Sequence, residues 1–165
     1  MKSRLSLLLM ALVLVLSAAA CRAESPLLEK PLAEIMDALY EKATGEYGFT
    51  PTWNLEMIEI PITADKNDWY FGTELEYAEA LASEYIIMPP AYSVCLVRVR
   101  PGDDAALVAE KIRANADPYK WVCTGAGAVA VESNDDLVLL VMADKENTEA
   151  LQKAFIALTK SAEVN

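Results

Sequence analysis

The chain has 165 residues, a length typical of one domain, and it contains 14 basic and 25 acidic residues but no histidine. The absence of histidine excludes Ser-His-Asp and Cys-His nucleophilic sites, and it also excludes histidine-ligated zinc. The net charge of −11 argues against nucleic acid as a partner, because contacts to phosphates need clustered lysine and arginine. The same acidity argues against direct adhesion to anionic lipid.

The first 20 residues have the organisation of a secretory signal peptide. Two basic residues precede an apolar run at residues 5–16, and small residues at 17–20 lead to Cys21. The run is too short to span a membrane comfortably, so we predict that residues 1–20 are removed. Their removal takes away two basic and no acidic residues, which leaves a net charge of −13.

Cys21 directly follows the small residues, and this arrangement resembles the lipobox of bacterial lipoproteins, in which the cysteine is diacylated before cleavage. The resemblance predicts lipid attachment at Cys21 and a location on the extracytoplasmic face of the cell membrane. The pattern Ala18-x-Ala20 also fits ordinary signal peptidase, which leaves a secreted protein as the alternative. In either case residues 21–30 form a tether and residues 31–165 form a single domain.

The domain begins with an amphipathic helix. Pro31 suits a first helical position, since its missing N–H would be unpaired there anyway. Apolar residues follow at i, i+3, i+4, i+7 and i+11 from Leu32, which is the spacing of one helical face. Gly45 is predicted to end this helix.

A less regular, aromatic segment follows. Residues 54–62 predict a short strand, and residues 65–71 predict one helical turn that ends at a glycine. Ten of the 13 aromatic residues lie between Tyr40 and Tyr92. An aromatic set this local indicates either a core layer or a binding platform.

The second half of the domain is more regular, and its most apolar early stretch is residues 91–100, which Pro101-Gly102 ends. The predicted elements are a strand at 84–88, a Pro89-Pro90 turn, a strand at 91–100, a helix from an Asp103 cap to Asp117, a hairpin of strands at 128–132 and 137–143, and a last helix capped by Asp144. The order strand–strand–helix thus occurs twice. We predict an α+β fold with a four-stranded, largely antiparallel sheet and an extra N-terminal helix.

The strand at residues 137–143 is apolar on both faces, so both faces of the sheet are expected to be covered. We expect the two later helices to cover one face. We expect the first helix and the aromatic segment to cover the other.

No cofactor and no metal are predicted. Residues 125–130 match the dinucleotide-binding fingerprint, but they lead into a predicted strand, whereas the fingerprint must open a helix. Residues 65–76 match parts of a calcium loop, but Tyr70 occupies the position of its obligatory glycine. Cys95 and Cys123 either pair as a disulfide or remain free thiols, and their spacing is not that of a thioredoxin-type site.

Two groups of residues form a candidate interaction surface. Trp69, Tyr70 and Phe71 are consecutive, so they cannot all face one way, and at least one is expected near solvent. The alternative is that all three seal one face of the sheet. Arg98 and Arg100 share one strand face, beside Lys120 in our interpretation, where they either hold an anionic group or balance nearby acids.

Two pairs of carboxylates offer a catalytic alternative. Glycoside hydrolysis needs only two carboxyl groups at a suitable separation, and Asp103-Asp104 and Asp135-Asp136 are candidates for such a pair. Both pairs lie at predicted cap and turn positions, where aspartate is favoured for backbone reasons. The structural role is therefore preferred, and no residue is assigned as catalytic.

Residues from about 32 to 158 resemble a family of small Gram-positive lipoproteins known as domain of unknown function 4358. The resemblance rests on DWYFG at 68–72, the strand at 92–100 with its following helix, NADPYKW at 115–121, and VMAD at 141–144 leading to Phe155. It implies a lipid-anchored envelope protein but no substrate, cofactor or active residue. The function expected from all of this is a non-catalytic module that binds a cell-wall component or an envelope protein, with a carboxylate-dependent envelope hydrolase as the alternative.

Overall fold

The computed structural model describes residues 29–52, 55–87 and 90–162. The predicted signal peptide, the lipidation site Cys21 and most of the predicted tether lie outside these residues, as do Trp53 and Pro89. Within the described ranges, none of the helices combines the length and the apolar character that a membrane span requires.

The described residues form four α-helices, five strands and one short 3-10 helix. In chain order these are α1 (Leu32–Tyr47), β1 (Met57–Pro61), the 3-10 helix (Ala64–Lys66), α2 (Asn67–Phe71), β2 (Glu79–Tyr85), β3 (Ser93–Arg98), α3 (Ala105–Asn115), β4 (Ala128–Asn134), β5 (Leu137–Ala143) and α4 (Lys145–Ala162).

The predicted α+β class is confirmed, and the strands form one open antiparallel sheet in the order β1-β2-β3-β5-β4. The sheet has five strands rather than the predicted four. The additional strand is β1, which pairs with β2 so that Met57 lies opposite Tyr85 and Pro61 lies opposite Leu81. Proline is tolerated at Pro61 because β1 is an edge strand and Pro61 is its last residue.

The strand predicted at residues 84–88 begins five residues earlier and ends at Tyr85. Ala80 and Ala82 have low strand propensity, but both are buried in the core on the face of the sheet that α3 covers, and this packing outweighs propensity. Ile86 and Ile87, which have high strand propensity, lie beyond the strand and are 51% and 62% exposed. Ile86 and Ile87, which the prediction placed in the sheet, therefore lie outside it at the surface.

Two helix boundaries also differ from the prediction. Helix α1 continues past Gly45 and ends at Gly48, which has a left-handed φ of 77° and donates its N–H to the Ala43 carbonyl. Helix α3 is capped by Asp104 instead of Asp103, since the Asp104 side chain accepts a hydrogen bond from the Ala106 N–H at 2.8 Å. The predicted role of Asp144 is confirmed, because its Oδ1 accepts from the Asn147 N–H at 2.9 Å.

Both faces of the sheet are covered, as expected for β5, but the helices are distributed differently from the prediction. Helices α1 and α4 pack together on one face, where they contact Leu137, Leu139 and Val141. Helix α3 packs on the opposite face with Val138 and Leu140. The aromatic segment is divided between the faces: Tyr40, Phe49, Tyr85 and Tyr92 lie with α1, whereas Tyr70, Phe71 and Tyr77 lie with α3.

Candidate functional site

A surface pocket of about 480 Å³ lies at the C-terminal end of β2. We call it the apolar groove. Its lining residues come from α2, from the end of β2 and from the loop between α3 and β4, and they are Trp69, Glu84, Tyr85, Trp121, Val122, Cys123 and Thr124.

Large apolar side chains are exposed around the apolar groove. Val122 is fully exposed and Trp69 is 44% exposed, and both line the groove. Ile86 and Ile87 directly follow the lining residue Tyr85. Exposed apolar groups that cluster beside a pocket are typical of binding sites, whereas single exposed apolar residues are not.

Lys120 contacts three of the residues that line the groove, Trp69, Glu84 and Trp121. Its Nζ lies 3.2 Å from Glu84 Oε1 and 3.3 Å from Ser93 Oγ. The same ammonium lies 5.1, 4.7 and 4.9 Å from the ring centroids of Trp69, Tyr70 and Trp121. The Lys120 side chain is only 5% exposed, so the ion pair and the three rings replace the water that it loses.

The loop that carries Lys120, Trp121 and Val122 is held by hydrogen bonds near its two ends. Asp117 Oδ1 accepts from the Tyr119 N–H at 2.8 Å, which is an aspartate turn of the kind that often follows a helix. The Pro118 carbonyl accepts from the Ala126 N–H at 2.8 Å and brings the two ends together. The loop is therefore closed at its base, with Val122 on its outer surface.

Burial near Lys120 changes the acidity of two further groups. Burial raises the pKa of the Cys95 thiol to about 12, although the nearby Lys120 charge partly opposes that change. Burial also raises the pKa of the Tyr70 hydroxyl, and the charge of Glu84 adds to the effect. Cys95 is thus a buried, protonated thiol, whereas Cys123 is exposed beside the groove, and both cysteines are free in the structure.

The expectation for the three consecutive aromatic residues is confirmed. Trp69 is 44% exposed, while Tyr70 and Phe71 are buried with α3. Helix α2 is a single turn, so consecutive side chains point about 100° apart and only part of the set faces the core. The alternative, in which all three aromatic residues seal the sheet, is therefore wrong for Trp69.

Arg98 and Arg100 lie away from the groove. Arg98 contacts Glu79 at 2.9 Å and Asp136 at 3.0 Å, and its Nη2 donates to the Lys30 carbonyl at 2.7 Å. Arg100 contacts Glu76 and Asp103. The expectation that these arginines lie beside Lys120 is wrong, because Lys120 contacts Ser93 at the start of β3 and Arg98 is its last residue.

The candidate catalytic carboxylates have structural contacts. Asp103 and Asp136 form ion pairs with Arg100 and Arg98, and Asp104 caps α3. Asp135 occupies the β4–β5 turn with a φ of 52°, a conformation that aspartate tolerates better than most residues. Among the residues that the structure describes, no group of three or more acidic or cysteine side chains is arranged to hold a metal ion.

The sequence prediction found Trp69 but missed the other residues that define the groove. Glu84, Trp121 and Val122 come from separate segments, and they meet only because the loop after α3 folds over the end of β2. The available signal was the occurrence of the apolar pair Trp121-Val122 outside the predicted regular elements.

The fold and the site define an α+β protein with an open five-stranded antiparallel sheet and an apolar groove at one end of that sheet. Comparison with known protein families, curated proteins and solved structures finds no match to this chain.

Proposed function

We propose that this protein is a non-catalytic interaction module of the bacterial cell envelope, exported and anchored to the extracytoplasmic face of the membrane by lipid on Cys21. The apolar groove is its binding surface. The observation that carries the proposal is the exposure of Trp69 and Val122 in the lining of one pocket, with the exposed Ile86 and Ile87 directly after the lining residue Tyr85. The small residues before Cys21, which resemble a lipobox, are the reason for proposing the lipid anchor.

The polar groups at the groove favour binding over catalysis. Glu84 is the one acid among the lining residues, and its Oε1 accepts a hydrogen bond from Lys120. Ser93 and Lys120 are 3.3 Å apart, as in Ser-Lys hydrolases, but Ser93 is completely buried and out of reach of a substrate. The carboxylates considered for hydrolysis form ion pairs, a cap and a turn elsewhere.

Replacing Trp69 with alanine is expected to weaken retention of the protein on isolated cell envelope while lowering stability by about 2–3 kcal/mol, the value of the half of its surface that is buried. Phe71→Ala provides the contrast, because truncating a fully buried phenylalanine costs about 3–5 kcal/mol. Co-sedimentation with envelope and urea unfolding measure the two effects.

Leu107→Ala is the matched control for Trp69→Ala, since Leu107 is 63% exposed on α3 and does not line the groove. Its retention should equal that of the wild type. If Trp69→Ala is retained as well as Leu107→Ala, the groove is not the binding surface.

Replacing Cys21 with serine is expected to release the protein from the membrane fraction into the medium. The physical reason is that diacylation supplies two chains, and stable anchoring needs two such signals where one chain binds only marginally. Leu107→Ala is again the control, because it keeps Cys21 and lies outside the lining of the groove, and it should leave the protein in the membrane fraction. Wild-type protein found in the medium with an unmodified Cys21 thiol would show that the lipoprotein assignment is wrong.

A further inference from the structure

We propose that the apolar groove binds a peptide segment of a partner protein that has an apolar face flanked by lysine or arginine. This inference rests on the proposed function, in which the groove is the binding surface. It adds the chemical class of the partner, which the shape and the charge of the groove define.

The apolar part of the argument comes from exposed aliphatic residues at the rim of the groove. Val122 lines the groove and is 100% exposed, and Ile86 and Ile87, which follow the lining residue Tyr85 in the chain, are 51% and 62% exposed. Aliphatic side chains offer no hydrogen bonds to the hydroxyl groups of a glycan, but they gain free energy when other apolar side chains cover them. The rim therefore matches leucine, isoleucine or phenylalanine side chains better than sugar rings.

Two exposed acids are adjacent to residues at the groove. Glu56 is exposed next to Ile86, whose N–H donates to the Glu56 carbonyl, and Asp68 is exposed next to Trp69. Lys120, which contacts three of the lining residues, is paired with Glu84 and covered by three rings, so it offers little charge to a ligand. A basic partner is attracted both by these acids and by the net charge of −13 that remains after residues 1–20 are removed.

The same charge disfavours two other occupants. A second copy of this chain carries the same net charge of −13 and is repelled, and so is the anionic surface of a lipid bilayer. The N-terminal tether also starts far from the groove. Its last residue, Lys30, is bonded to Arg98, which is separated from Ser93 and Lys120 by the length of β3, about 17 Å at the usual rise of a strand.

The position of the tether also supports access by a protein partner. The chain leaves the domain beside Arg98, at one end of β3, and the groove lies near Ser93 at the other end.

The test uses the full-length protein, purified from membranes in mild detergent, and fluorescein-labelled synthetic peptides of 15 residues. The peptides share one set of apolar faces built from leucine and phenylalanine, and they differ only in flanks of lysine, serine or glutamate. Fluorescence anisotropy measures the dissociation constants. We expect the lysine-flanked set to bind at least tenfold more tightly than the glutamate-flanked set, with a smaller difference at high salt.

Two double variants test the two parts of the inference. Ile87→Asn with Val122→Asn should weaken binding about tenfold, whereas Leu107→Asn with Val129→Asn, which changes exposed apolar residues outside the lining of the groove, should not. Glu56→Gln with Asp68→Asn should reduce both the preference for lysine flanks and the salt dependence.

Several results would overturn the inference. These are equal binding of all three peptide sets, binding of none, equal binding by both apolar double variants, or displacement of the peptides by soluble cell-wall oligosaccharides. Self-association that the Ile87 and Val122 substitutions abolish would assign the groove to a second copy instead. If the inference fails but Trp69→Ala still reduces retention on envelope, the partner class is wrong and the proposed function stands.

Discussion

Replacing Gly72 with alanine is expected to destabilise the domain by about 2–5 kcal/mol. Gly72 ends α2 with a left-handed φ of 67°, a conformation that costs an L-residue about 1–2 kcal/mol. A Cβ at this position would also overlap the carbonyl oxygen of Asn115, at the end of α3. Because that obstacle is backbone, the overlap is relieved only by moving α2 away from α3. Urea unfolding measures the loss.

Gly48→Ala is the matched control for Gly72→Ala. Gly48 ends α1 with a similar φ of 77°, but no atom lies within 4 Å of the position that a Cβ would occupy. Gly48→Ala should therefore lower the free energy of unfolding only by the cost of holding an alanine at a left-handed φ, about 1 kcal/mol. Equal costs at the two glycines would mean that the close approach of α2 to α3 contributes nothing to stability.

The contact at Gly72 also connects stability to the groove. Helix α2 carries Trp69, and the loop that begins after Asn115 carries Trp121 and Val122. A displacement of α2 from the end of α3 therefore separates the two walls of the groove. Gly72→Ala should reduce envelope retention of the molecules that remain folded, whereas Gly48→Ala, on the opposite face of the sheet, should not.

The sequence predicted those elements whose local pattern agrees with their tertiary environment. The strand β5 alternates large apolar residues on both faces, and the structure buries all seven of its residues. The last helix was placed correctly after Asp144 because the cap is a local hydrogen bond to Asn147. The boundaries of β2 are predicted less well, because local propensity and tertiary pairing conflict there. Its alanines have low strand propensity, and they belong to a strand only because β1 and β3 pair with it.

The sequence predicts only part of the candidate site, because most of its residues come from segments that are distant in the chain. The exposure of one residue among Trp69, Tyr70 and Phe71 follows from geometry within a single turn, so the sequence was sufficient. The partners of Lys120 come from three segments, and no periodicity relates Trp69, Glu84 and Trp121. The distribution of helices over the two faces depends in the same way on long-range packing, here between α1 and α4.

The ion pair between Lys120 and Glu84 is expected to behave as one unit in a double-mutant cycle. Lys120→Met and Glu84→Gln should each cost about 2–4 kcal/mol, because each leaves one charge with little access to water. The side chains of Lys120 and Glu84 are only 5% and 16% exposed, so water replaces the missing partner poorly. The double variant should cost about as much as one single variant, since the second substitution removes the charge that the first left unpaired.

The environment of Lys120 determines which single substitution costs more. After Glu84→Gln the ammonium keeps three aromatic rings at 4.7–5.1 Å and the Ser93 hydroxyl at 3.3 Å, so part of its compensation remains. After Lys120→Met the Glu84 carboxylate loses the ammonium that donates to its Oε1, although methionine fills the space between the rings. Lys120→Met should therefore be the more costly change. The control is the Lys42–Glu46 ion pair on α1, in which Glu46 is 56% exposed. Disrupting that pair should cost well under about 1 kcal/mol. Additive costs for Lys120→Met and Glu84→Gln in urea unfolding would show instead that the rings alone hold the lysine, and that Glu84 remains free to accept a hydrogen bond from a ligand in the groove.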